Sequence, residues 1–221
     1  TVSSNKPVNI QRLLTKSACD KPLAYKVGEI DARFKLTEEE IVNSLDKATK
    51  SWERSSSKDL FVFDPNASLT VNFVYDRKQS LHNQISDLEK KLDTGKGDFE
   101  SKKAEHESQV VEFNAKIAAL NAEIDSWNNQ GGAPQDEYEK LIARQRELSD
   151  EAEMLNASAQ ELNLSADLYN VEVGKLNNTI SEFNLNVQRR PEEGLFDGLN
   201  TIEIYFVPNN EELVHTLAHE L

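Results

Sequence analysis

From about residue 78 to 189 the chain sets apolar side chains three and four positions apart and confines proline to one place, Pro134. The second half of this stretch is the more regular. Tyr138, Leu141, Gln145, Leu148, Ala152, Leu155, Ala159, Leu162, Ala166, Tyr169, Val173, Leu176, Ile180, Phe183 and Val187 alternate steps of three and four without interruption. That is the a/d pattern of a coiled coil. The first half runs Leu81, Ile85, Leu88, Leu92, Gly95, Phe99, Lys103, His106, Val110, Phe113, Ile117, Leu120, Ile124 and Trp127. The consecutive steps of four from Gly95 to Lys103 form a stutter, which unwinds a supercoil locally. Between the halves, Asn128-Asn129-Gln130-Gly131-Gly132-Ala133-Pro134 reads as a turn. The two arms are therefore expected to fold back as an antiparallel hairpin over residues 78–190, with its tip at about 128–135.

Folding about that tip opposes large seam residues to small ones: Phe113 to Ala152, Phe99 to Ala166, and Gly95 near Tyr169. At 1.5 Å per residue each arm spans roughly 75 Å. Gly95, Gly97 and the polar run Ser101 to Gln109 predict a bend or fraying within the first arm. Gly95-Lys96-Gly97 lacks the length and the preceding strand of a phosphate loop.

The flanks have a different grammar. In residues 1–77, Leu23-Ala24-Tyr25-Lys26-Val27 is a candidate strand punctuated by Gly28, and Thr37 with Glu40 forms a capping box. The helix that follows carries Ile41, Leu45, Ala48 and Trp52 on one stripe, with Trp52 expected as a core anchor, and Ser55-Ser56-Ser57 ends it. Leu60-Phe61-Val62-Phe63, the turn Asp64-Pro65-Asn66 and the alternating Leu69 to Tyr75 complete this part. In residues 191–221, Pro191 stops the hairpin, Thr201 to Val207 is a strand, and Asn209 with Glu212 caps a final helix. The fold class expected is α+β: a small sheet-plus-helices domain interrupted by a long antiparallel helical hairpin.

Charge narrows the function. With 39 acidic against 25 basic residues the net charge is -14, which repels a phosphate backbone and argues against nucleic acid as a partner. No apolar run reaches the ~20 residues of a membrane span. The single cysteine, Cys19, excludes an intrachain disulfide.

The chemistry concentrates at the end. Leu213, Val214, Leu217 and Leu221 fall in one arc of the last helix, and His215 and His219 fall on the other side, with Glu220 after them. Taken alone, His-Glu on an amphipathic helix fits either a zinc helix or a solvated face. His215 and His219 as an i, i+4 metal clip would still lack a third ligand.

The order of elements, ending in Leu217-Ala218-His219-Glu220-Leu221, resembles the catalytic domain of matrixin-type metzincins. More specifically, it resembles a group of bacterial matrixin-like proteins that carry the pattern matched here by Cys19, Pro22, Tyr25, Gly28, Asp31, Arg33 and Phe34. In that group, too, a helical hairpin with a Gly-Gly-Ala-Pro tip precedes the zinc helix, as Gly131 to Pro134 do here. The resemblance implies a zinc endopeptidase acting on a protein or peptide substrate, with His219 as the first zinc ligand and Glu220 as general base. The second and third histidines and the methionine turn of such proteins have no counterpart before Leu221. This chain is accordingly expected to hold no stoichiometric zinc and to be inactive by itself.

The resemblance and the opening on Thr1 instead of methionine together suggest an extracytoplasmic protein with room for an upstream leader or anchor. Cys19 sits where the inhibitory cysteine segment of matrixin zymogens ends, yet its surroundings lack the arginine and glycine of that motif. Packing as a small hydrophobe is the competing role for it. The hairpin is either a spacer or an arm that docks a protein partner. The competing function is a non-catalytic coiled-coil interaction or scaffold protein.

Overall fold

The computed structural model describes residues 21–54 and 58–221. Its elements are β1 (Leu23–Ile30), a 3₁₀ turn (Ala32–Phe34), α1 (Glu38–Glu53), β2 (Phe61–Phe63), β3 (Leu69–Phe73), α2 (Arg77–Asn129), α3 (Gln135–Arg189), β4 (Gly194–Phe196), β5 (Thr201–Ile204) and α4 (Asn210–Glu220). The class is α+β, as the sequence predicts. The chain divides into a sheet unit, made of the described residues up to Asn83 together with Glu182–Leu221, and a hairpin unit, Gln84–Ser181.

In the sheet unit the strands lie in the order β2-β1-β3-β5-β4. All neighbours are parallel except β4 with β5. Alternation along the strands separates the two faces. Leu69, Val71, Phe73, Ile202 and Ile204 are buried with Tyr25 against Ile41, Leu45 and Ala48 of α1 and Leu213 and Leu217 of α4. Thr70, Asn72 and Glu203 fall on the other face and are only half-buried.

Local chemistry explains the ends. Thr37 and Glu40 make the full reciprocal capping box at α1. At the other end of α1, the Glu53 carboxylate accepts from the amides of Leu60 and Phe61 and so seats the start of β2. The Asp64 turn is held by its carbonyl, which accepts from the Ala67 amide at 2.9 Å, and by its carboxylate, which accepts from the Asn66 amide.

Several expectations for the sheet unit need correction. Leu69 to Tyr75 and Thr201 to Val207 are shorter strands than expected, β3 ending at Phe73 and β5 at Ile204. β1 does not stop at Gly28; it runs through it to Ile30, with a register shift against β3 between Val27 and Ile30. A β-carbon at Gly28 would sit 2.1 Å from Asn72 Oδ1 and 2.3 Å from Thr70 Cγ2, so the glycine admits neighbouring side chains and does not end the strand. Trp52 is no core anchor either: it is 50% exposed, while Ile41, Leu45 and Ala48 are fully buried. Its indole N–H instead donates to the Ala218 carbonyl at 2.7 Å, the amphipathic use of a ring with one polar edge. Ser55 to Ser57 and Cys19 lie outside the described residues.

In the hairpin unit the tip carries positive φ at Gly131 and Gly132, 94° and 114°, where only glycine is unstrained. The antiparallel register is marked by Lys116 with Glu151 at 2.9 Å and by Arg144 with Glu123. Leu92, Leu120, Leu141 and Leu155, all seam positions, are buried within the hairpin unit. Phe99, Ala166 and Tyr169 line one groove, and Gly95 lines another with Phe99 and Tyr169; a β-carbon at Gly95 would meet nothing within 4 Å, so the large side chains gather near the small ones without filling the space at Gly95. The first arm does not fray: α2 is helical through Gly95, Gly97 and Ser101 to Gln109. Among the described residues no helix is long and apolar enough to cross a membrane.

Candidate functional site

The last helix is built to stay put. Asn209 Oδ1 accepts from the amides of Glu211 and Glu212 at 3.0 and 2.9 Å, satisfying the N-terminal donors of α4. Leu213 and Leu217 are buried to 1% and 0% exposure, and Val214 and Leu221 pack against the same core. Burying those two leucines contributes about 4 kcal/mol in transfer terms. The Trp52 bond to the Ala218 carbonyl fixes the far end. His215 and His219 are thereby left exposed on the other side, and Glu220 half-buried.

A missed strand forms the facing wall. β4 is three residues long, too short for any periodicity to reveal. It is made by the turn after it: the Asp197 carboxylate accepts from the amides of Leu199, Asn200 and Thr201 at 2.8–3.0 Å, and Gly198 takes φ 79°. Those amide bonds, that from Thr201 foremost, hold the Asp197 carboxyl below the usual carboxylate range. Upstream, the Glu193 carbonyl accepts from the Tyr205 and Phe206 amides at 2.8 and 3.1 Å.

Between β4 and α4 lies a cleft of about 260 Å³ lined by Glu192, Glu193, Gly194, His215, Thr216, His219 and Glu220. Thr216, 4% exposed, places its hydroxyl 2.8 Å from Glu193 Oε2 and 3.0 Å from the Glu212 carbonyl, its single proton shared between the two acceptors. Gly194 has a geometric role: a β-carbon there would stand 2.9 Å from Glu220 Cγ and 3.1 Å from Ile204 Cδ1. Its absence lets the Glu220 side chain lie against the strand.

The cleft thus brings His215, His219 and Glu220 together, and adds Glu193, Gly194 and Thr216, which pattern reading passed over. Only Gly194 had a readable signal, as a glycine just before two apolar residues. Among the described residues no three His, Cys, Asp or Glu side chains converge as a metal-binding group.

The entrance to β4 is held from the start of α2. Lys78, 2% exposed, donates from Nζ to the Pro191 and Glu192 carbonyls at 3.1 and 3.4 Å and lies 4.5 Å from the centre of the Phe206 ring. Burial pushes its pKa down. Gln79 Oε1 accepts from the Val207 amide at 2.7 Å, just ahead of the α4 cap.

Neither a family model, nor a curated protein, nor a solved structure matches this chain.

Proposed function

We propose that this chain carries the substrate cleft of a matrixin-like zinc endopeptidase acting outside the cytoplasm, with Glu220 as general base and His219 as first zinc ligand. The observation that carries the reading is the edge of β4 beside Glu220, the outermost strand of the sheet among the described residues. Bonds from the Tyr205 amide to the Glu193 carbonyl and from the Asp197 amide to the Thr201 carbonyl turn alternate residues of this strand toward β5. The antiparallel ladder then leaves the amides and carbonyls of Gly194 and Phe196 on the open side. An extended peptide can add there as a further strand, and the Glu220 side chain lies against Gly194 at the mouth of the cleft. A carboxylate beside a peptide bond so placed is positioned to take a proton from an attacking water.

His219 and Glu220 supply one ligand and one base, short of the three ligands of a catalytic zinc, so what the cleft residues do unaided is bind and orient a peptide. The test uses the full gene product, loaded with zinc and assayed on a quenched fluorescent peptide. Cleavage is expected, and Glu220→Gln should lower kcat by at least about 100-fold. A gene product that neither retains zinc nor cleaves would overturn the reading. The edge-strand mode has its own check: Phe196→Pro removes an outward amide that β5 does not use, and peptide affinity should fall while the fold persists.

A second reading, a non-catalytic interaction protein, is favoured by the exposed apolar side chains on the hairpin unit.

A further inference from the structure

α3 carries two apolar stripes. The first is the seam toward α2. The second lies on its outer side: Leu164, Leu168 and Val171, spaced four and three apart, are 63%, 68% and 54% exposed. Met154, 66% exposed, begins the same line two heptads before Leu168. Leucine at such positions costs solubility and adds nothing to the seam, and a three-and-four repeat is the pattern a helix presents to another helix.

The flanking charges identify the occupant. Glu161 and Lys175 are both exposed and stand seven residues on either side of Leu168, on the same line. Two copies aligned antiparallel about Leu168 therefore bring Glu161 of each to Lys175 of the other, and set Leu164 against Val171. Parallel alignment would oppose like charges at both ends. Lys175 now bonds Glu172 on its own helix, an exposed pair with little to lose on exchange. We infer that the outer face of α3, centred on Leu168, is a self-complementary surface on which a second copy of this chain docks antiparallel about a two-fold axis.

The stripe is short. From Met154 to Lys175 it runs roughly 30 Å, less than a standard interface supplies, so the dimer is weak, with Kd on the order of 10 μM. Asp167 stands beside the axis and faces its own copy, which weakens it further. This inference does not depend on the protease reading.

Sedimentation equilibrium of the 221-residue chain should show reversible dimerisation across the micromolar range. Leu168→Asp should weaken it at least tenfold, Asp167→Asn should tighten it, and Leu199→Asp, at an 84% exposed leucine of the sheet unit, should change nothing. Circular dichroism checks that each variant remains folded. Orientation is read in a Cys19→Ser background by mixing Glu161→Cys and Lys175→Cys chains. A mixed disulfide is expected in preference to either homodisulfide. A chain monomeric to millimolar concentration, association indifferent to Leu168→Asp, or preferred homodisulfides would each overturn the proposal.

Discussion

Gly28 and, beside Glu220, Gly194 decide local geometry by what they leave out. At Gly28 a β-carbon would overlap Asn72 Oδ1 and Thr70 Cγ2, side chains of the neighbouring strand, and retreat of the Asn72 side chain gives up the bond its Oδ1 accepts from the Glu29 amide at 2.9 Å. Gly28→Ala should therefore destabilise the sheet unit by about 1–3 kcal/mol, read as a lower urea midpoint at unchanged slope. Carboxylates act differently. Asp31 receives the Arg33 guanidinium and amide, which lower its pKa to about 2; Asp197 is lowered by the turn amides. A depressed folded pKa contributes stability above the unfolded value of about 4 and loses it as pH falls below that. The Tm gap between wild type and Asp31→Asn should hold near neutral pH and close between about pH 4 and 2; the gap for Asp197→Asn should likewise hold near neutral pH and shrink as pH falls below about 4. Reading residues from sequence succeeded where the partner is local, as with Thr37 and Asn209. It failed for Trp52, whose stripe position says nothing about an indole N–H that finds a carbonyl 166 positions away.

Among the elements, α2 and α3 were legible because a heptad repeated over many turns averages out single exceptions. Gly95 and Gly97 show the limit of that averaging. Both sit in an unbroken helix with no atom within 4 Å of a built β-carbon, so the propensity penalty is present and packing overrides it. Gly97→Ala should stabilise the hairpin by about 0.5–1 kcal/mol, measurable as increased amide protection around residue 97. β4 shows the opposite limit. Its three residues carry no pattern, and it exists because Asp197 and Gly198 make a turn that returns the chain along β5. The cleft wall it forms was for that reason invisible, although His219 and Glu220 on the facing helix were not.

For the molecule as a whole, a sheet with helices interrupted by a long helical hairpin was readable from the change of pattern near residues 78 and 190, whereas the mixed strand directions and the contact of Glu193 with Thr216 depend on tertiary placement alone. The metal balance also belongs to this scale. His215 and His219 line one cleft with Glu220, but no three such side chains among the described residues converge on a metal position, which predicts that the 221-residue chain, dialysed against zinc and analysed by elemental methods, retains well under one equivalent; a tight one-to-one site would contradict this. The pairing of β3 with β5 has a kinetic consequence. Phe73 and Ile204 are partners, so closing that ladder through a disordered intervening chain would be slow. A hairpin whose contacts zip locally from the Gly131-Gly132 tip removes that search, because Arg77 and Glu182 then meet at 2.5 Å and deliver both strands to each other. Replacing Gly131 and Gly132 by valine should slow refolding of the sheet in stopped-flow fluorescence while the core it assembles is unchanged. The arm that interrupts the sheet in sequence would then be what sets the time in which the sheet closes.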